Sequence, residues 1–335
     1  MIRVAWLLSL LAAWTVASPA RGADDRPADA APPDALAEPE PLYAQPSTLD
    51  RVGRILVPIE VNGRGPFRFI LDTGANRSAV SARTAATLGL VPDPSRPLGV
   101  HGVTGSAVLP AVEVASMRFG DVVLANRRLP VLDDEVFADA DGILGIDSLQ
   151  HARVEVSFGK DRVTIRRSTG RRAPRDYLVV PANLREGGLL LVDGQVGGVK
   201  VKVILDTGAE RSLGNDALRR ALFGDSQPAG AGVPTKVFGA TPAVVEGAAL
   251  ATPVIAIGEA QLRNLNVTFG DFHVFRVWGL TEQPALLIGM DLLGFLKTFV
   301  IDYRRKEFQL LPIEGVKPVT RSCGAADCRI LLPRR

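Results

Sequence analysis

Cysteine is almost missing from this sequence: there are two in 335 residues, Cys323 and Cys328, both close to the C-terminal end. A disulfide framework is therefore excluded for most of the chain. In an oxidising compartment the two can close their C-x4-C loop. The same spacing is half of a metal site, but no Cys or His nearby completes four ligands. Histidine is as scarce, and His101, His151 and His273 are scattered along the chain, so neither a metal nor another cofactor is expected. There is no G-x-S-x-G nucleophile turn and no glycine loop of the kind that cradles phosphate. A strong charge of one sign is lacking too. The net charge is +3 with no Lys/Arg cluster beside aromatic residues, so no nucleic-acid partner is expected.

Long apolar runs are limited to one. Residues 4–16 are apolar over 13 positions behind Arg3, short of the roughly 20 residues that span a bilayer. This is the pattern of a secretory signal over residues 1–23, with small residues offering cleavage after Ala20 or Ala23; an uncleaved anchor is the alternative. No Cys follows the run, so a lipid anchor is not expected. The sequence predicts an exported, periplasmic protein without a stable membrane anchor once the signal is removed. Residues 24–50, rich in Ala, Pro, Asp and Glu, lack the apolar content to bury a core and are expected to be a disordered linker or a removable pro-segment.

What the chain does have is glycine (33), proline (24) and short runs of Val, Ile and Thr, a composition that favours β structure. It also has an internal repeat. Ile70-Leu71-Asp72-Thr73-Gly74-Ala75-Asn76-Arg77-Ser78 returns as Ile204-Leu205-Asp206-Thr207-Gly208-Ala209-Glu210-Arg211-Ser212, eight of nine residues identical, 134 positions on. In each copy an apolar strand (67–71 and 199–205) follows a Gly-containing turn and ends on an Asp. Strand material precedes each turn, at 54–61 and at 188–192 with 195–196. Short helices are expected at 81–90 and 215–222. A second pair of blocks follows, Ile143-Leu144-Gly145-Ile146-Asp147 and Leu287-Ile288-Gly289-Met290-Asp291, now 144 positions apart. Each leads to a hairpin, 154–158 with 162–165 and 299–303 with 307–311. A repeat this long argues for two homologous lobes rather than a solenoid. We place them at 51–170 and 176–315, joined by the basic stretch 168–175 and followed by a tail, 316–335.

These residues carry a specific resemblance. The doubled Asp-Thr-Gly-Ala, each copy after two apolar residues and each followed by its own apolar-apolar-Gly, resembles the retropepsin-like aspartic proteases of the bacterial, single-chain, two-lobed kind, over roughly residues 51–312. A single Asp-Thr-Gly in a β protein is usually a plain turn; the doubling is what points to chemistry. The resemblance implies a mainly β fold of two homologous β-barrel lobes with short helices, related by a pseudo-twofold axis. It implies catalytic carboxylates at Asp72 and Asp206. Thr73 and Thr207 would lock the two loops across the interface, and Gly74 and Gly208 would let the opposite lobe approach. Two carboxylates about 3 Å apart cannot both ionise, so they share a proton and activate a water molecule against a peptide bond. The function implied is an aspartic endopeptidase acting on polypeptides as a monomer, processing exported or envelope proteins. The alternative is a non-catalytic peptide-binding pseudoprotease using the same cleft.

Substrate-covering flaps are expected between the helices and the apolar-apolar-Gly blocks: residues 99–105 with His101, Gly102 and Val103, and residues 237–241 with Phe238 and Gly239. Ordinary Gly-rich turns are the plain alternative. Arg77 and Arg211 suit either a cross-lobe ion pair or solvated loop charges, and Asp147 and Asp291 suit the starts of short helices. Retroviral relatives commonly carry Arg-Asn where Ile146-Asp147 and Met290-Asp291 stand, so their interface ion pair does not carry over. Pepsin-like enzymes usually have Ser where this chain has Ala75 and Ala209.

Overall fold

The computed structural model describes residues 43–46, 48–50, 53–120, 122–150, 152–185, 188–224, 232–312 and 329–331. The expected signal segment, His151, Cys323 and Cys328 lie outside them.

The two halves are built alike and mainly from β structure. In the first, Ile55–Val61 turns at Asn62-Gly63 into Arg64–Leu71. Both turn residues have positive φ, 52° and 70°, the geometry whose twist matches two antiparallel strands. Arg64–Leu71 pairs in parallel with Gly142–Leu144, which lies antiparallel to Ala79–Ser81. Ala79–Ser81 pairs with Val122–Leu132, and that strand with Ser106–Phe119. The last returns to Ile55–Val61 through Glu60 opposite Arg118 and Val61 opposite Met117, closing a ring. Alternation along Ile55–Val61 sends Ile55, Val57, Ile59 and Val61 into the core.

The second half repeats this through Leu190–Val196, Val199–Leu205, Ala285–Ile288, Leu213–Gly214, Leu265–Phe269 and Val244–Thr252. Its long strand stops before Pro253, a residue with no N–H for a ladder. The continuation, Ile255–Ile257, pairs back onto Leu190–Val196. The expected helices are present as Ala82–Leu88 and Asp216–Phe223, one position inside the residues that cap them. Ser81 Oγ accepts the Thr84 N–H and Asn215 Oδ1 that of Leu218, each satisfying a donor the helix itself leaves free.

A third layer joins the halves. The hairpin Ala152–Ser157 with Arg162–Arg167 meets the hairpin Leu296–Asp302 with Glu307–Pro312, edge to edge. Val154, Val156, Phe299, Ile301 and Phe308 belong to one core with Leu71 and Leu205, the residues that precede the two Asp-Thr-Gly turns.

Two expectations change, and the stretch between the lobes gains a detail. The end of the supposed linker is strand: Tyr43–Pro46 pairs with Arg162–Arg167, and Thr48–Leu49 with Ile55–Val61. Composition hid this because an edge strand is held by backbone groups and needs little apolar content. In the expected tail, Arg329–Leu331 pairs with Ala260–Arg263 for the same reason. The stretch between the lobes is irregular but pinned, since Ser168 is buried and donates to Asp302 at 2.7 Å, and Arg305 donates to the Gly170 carbonyl.

Candidate active site

The two Asp-Thr-Gly turns meet face to face between the halves. Each Asp continues a strand that is already buried and paired. The Asp72 N–H is bound by the Leu144 carbonyl at 3.1 Å, and that of Asp206 by Ile288 at 2.9 Å. Leu144 and Ile288 thus support the loops. After the Asp the backbone folds sharply, so that Asp72 Oδ1 accepts from Gly74 and Ala75 N–H at 2.9 and 2.8 Å. Asp206 Oδ1 does the same from Gly208 and Ala209, at 2.9 and 3.0 Å.

The turns are cross-tied. Thr73 Oγ1 donates to the Leu205 carbonyl at 2.7 Å and accepts the Thr207 N–H at 3.2 Å. Thr207 Oγ1 donates to Leu71 at 2.6 Å and accepts the Thr73 N–H at 3.1 Å. All four groups are buried. Glycine is required behind each carboxylate: a Cβ on Gly74 would overlap the Asp206 carboxyl, and one on Gly208 the Asp72 carboxyl.

Burial dominates the electrostatics. It raises the Asp72 carboxyl above its ordinary range and Asp206 well above it, and the Asp72 charge adds to the rise at Asp206. The backbone N–H groups on each Oδ1 oppose the shift. The halves are not equivalent here, because the positive charge of Arg54 favours the Asp72 anion. Arg54 is held by Asp50 at 2.7 Å and by the carbonyls of Val136 and Phe137. The position 134 residues on is Gly188, so the second half carries no counterpart. Tyr303 is buried as well, and its hydroxyl has no partner among the described residues. Burial and the Asp72 charge both push that phenol up.

Outside the turns a second symmetric device appears that sequence reasoning missed. Ser78 Oγ accepts the Gly145 N–H at 3.0 Å and donates to Asp147 at 2.7 Å. Ser212 Oγ accepts the Gly289 N–H at 3.1 Å and donates to Asp291 at 2.7 Å. Asp147 and Asp291 do stand in the first turns of short helices. Their carboxylates also clamp the end of each nine-residue repeat, taking the Ser78 and Ser212 N–H groups. Burial raises Asp291, and the Ser212 bonds offset part of the rise. The signal available was that Ser and Asp recur together in both halves. Arg77 and Arg211 are exposed. Arg211 lies 3.6 Å from its neighbour Glu210, and neither arginine makes a cross-lobe ion pair among the described residues.

The expected flaps are hairpin tips. Gly102 N–H bonds the Gly105 carbonyl between strands Asp93–His101 and Ser106–Phe119, and the second tip lies between Val233–Phe238 and Val244–Thr252. The tips touch: Thr104 Oγ1 and Thr241 Oγ1 are 3.0 Å apart, both buried, and Gly102 and Gly239 lie against Ala240 and Thr104. Each tip packs on the other half. Val103 packs with Ala209 against the second-half cluster of Leu213, Phe272 and Phe275; Ala240 packs with Ala75 against Ile70, Ala79 and Phe137. Of the expected flap residues, Gly102, Val103 and Gly239 come together here. Phe238 does not, being 71% exposed, and His101 is exposed, with Nδ1 2.6 Å from Ser106 Oγ. Among the described residues no group of three or more His, Cys, Asp or Glu is placed to hold a metal.

Two carboxylates on cross-tied Asp-Thr-Gly turns, the partly buried Asp72 and the buried Asp206, one from each half of a two-lobed, mainly β fold, define the architecture of a retropepsin-like aspartic protease. A family model described as aspartyl protease matches residues 57–148 and 192–292, one stretch in each half and together more than half of the chain; the chain belongs to this family. No curated protein matched it.

Proposed function

We propose that the protein is an aspartic endopeptidase in which Asp72 and Asp206 together activate one water molecule against a peptide carbonyl. The observation that carries this reading is the pair of facing carboxyls, each anchored at Oδ1 by two backbone N–H groups and each backed by the opposite glycine. Anchoring one oxygen leaves Oδ2 of each for water and substrate. Burial stabilises one shared proton, so the pair offers a base and an acid at once. The ionised member takes a proton from the water as it attacks. The protonated member donates to the developing oxyanion, and as the C–N bond breaks the leaving amine takes the proton that the other carboxyl collected from the water. The asymmetry from Arg54 supports Asp72 as the ionised member, although titration belongs to the pair.

Both turns come from one chain, so the enzyme works as a monomer. The signal-like N-terminus supports export, and with it processing of exported or envelope polypeptides. Incubating the purified protein with a denatured exported protein and sequencing the products by mass spectrometry tests this. Wild type should create new internal termini that Asp72→Asn does not create. Equal cleavage by both would refute the reading.

A further inference from the structure

The chain has three histidines, and two of them, from opposite halves, meet on one hydroxyl. His101 closes the first strand of the first flap and faces Ser106 across the hairpin. His273 opens the helix His273–Val277 of the second half, where the first half has only the 3-10 turn Asp134–Phe137. Ser106 Oγ lies 2.6 Å from His101 Nδ1 and 2.6 Å from His273 Nε2, with the rings 6.4 Å apart. Next to this chain the flap tip docks on the same helix, where the Val274 N–H reaches the Val103 carbonyl at 3.4 Å and Val103 packs against the second-half core.

We propose that His101, Ser106 and His273 form an interlobe clasp that positions the first flap over the Asp72–Asp206 cleft, holding while at least one imidazole is neutral and loosening when both are charged. The proposal rests on the endopeptidase reading for the flap's purpose. The clasp itself rests on the three side chains. With both rings neutral, one donates N–H to Ser106 Oγ and the other accepts its O–H. With one ring charged, the same two bonds survive. With both charged, each ring can still donate N–H to a lone pair of Ser106 Oγ, but two cations then face each other across 6.4 Å, and their repulsion loosens the clasp. The other charges on the packed elements do not cancel this. On the helix side Arg276 is paired with Asp271 at 2.9 Å. On the second flap Lys236 stands opposite Glu246. Further down the first flap Arg96 is paired with Glu113, and Arg118 with Glu60. No carboxylate accepts from either ring among the described residues.

Opening is read without catalysis by hydrogen exchange at the amides of residues 102–106, in wild type and in Asp72→Asn. After correction for intrinsic exchange, protection should fall roughly three- to tenfold between pH 7.5 and pH 5, the effect of two unit charges at this separation in a largely aqueous dielectric. Ser106→Ala should exchange fast at both pH values. His273→Gln keeps a donor for Ser106 but cannot become charged, and should stay protected at both. Exchange in the strand Leu296–Asp302 reports whether each variant is folded. The clasp is refuted by a wild-type flap that shows no pH step, by a step that persists in His273→Gln, or by Ser106→Ala remaining as protected as wild type. A protein without peptidase activity that shows the step would refute the endopeptidase reading and leave the clasp standing.

Discussion

Thr73 and Thr207 hold each other's loops: each donates its hydroxyl to the carbonyl just before the other's Asp, at 2.7 and 2.6 Å, and accepts the other's N–H. The consequence is that neither carboxylate can shift without pulling the opposite loop. Thr73→Val keeps the shape and removes the hydroxyl, leaving the Leu205 carbonyl and the Thr207 N–H buried without partners. Each such group costs about 1–3 kcal/mol, so urea unfolding should show a loss of roughly 2–6 kcal/mol, with Thr73→Ser close to wild type. A loss below about 0.5 kcal/mol for Thr73→Val would contradict the cross-tie.

Burial of the dyad makes stability depend on pH with a definite sign. An unfolded Asp titrates near 3.8, whereas folded Asp206 keeps its proton to well above that. Between those limits the folded state binds more protons than the unfolded one, so stability falls as pH rises. The favourable contribution is complete below the unfolded pKa and is lost as pH climbs through the folded one. Asp206→Asn removes this titration. Compared at pH 4 and pH 7.5, the variant should gain stability relative to wild type at the higher pH. A gap that stays constant, or moves the other way, would show that the site does not hold an extra proton.

How much of this was open to sequence reasoning depended on the distance over which each feature is determined. The strands that deliver Asp72 and Asp206, the hairpins and the two short helices follow from local pattern. The cross-tie of Thr73 and Thr207 and the roles of Gly74 and Gly208 came through the family resemblance. The Ser78–Asp147 and Ser212–Asp291 clamps escaped because they span 69 and 79 positions, while the helix-start reading of Asp147 and Asp291 was locally sufficient. Tyr43–Pro46 was hidden by composition. Phe238 was assigned from its place in the second half, comparable to that of the first flap, but strand alternation turns its side chain to solvent.

Pepsin-like enzymes usually carry Ser where this chain has Ala75 and Ala209, and a hydroxyl bonded to a carboxylate stabilises its anion. Ala75→Ser, alone or with Ala209→Ser, should therefore move the bell-shaped profile of kcat/KM toward acid, from an optimum expected at roughly pH 5 to 6.5. The profile of the folded serine variants against one uncharged peptide checks this. An unmoved profile would remove the hydrogen-bond argument for this site.

The central claim is that Asp72 and Asp206 act as one unit. The most direct measurement is peptide turnover by Asp72→Asn, Asp206→Asn and the double variant, each shown by circular dichroism to keep the wild-type fold. Both single variants should lose roughly a thousandfold or more, and the double variant should be no worse than either. A single variant that keeps substantial turnover, or losses that multiply in the double variant, would contradict the dyad.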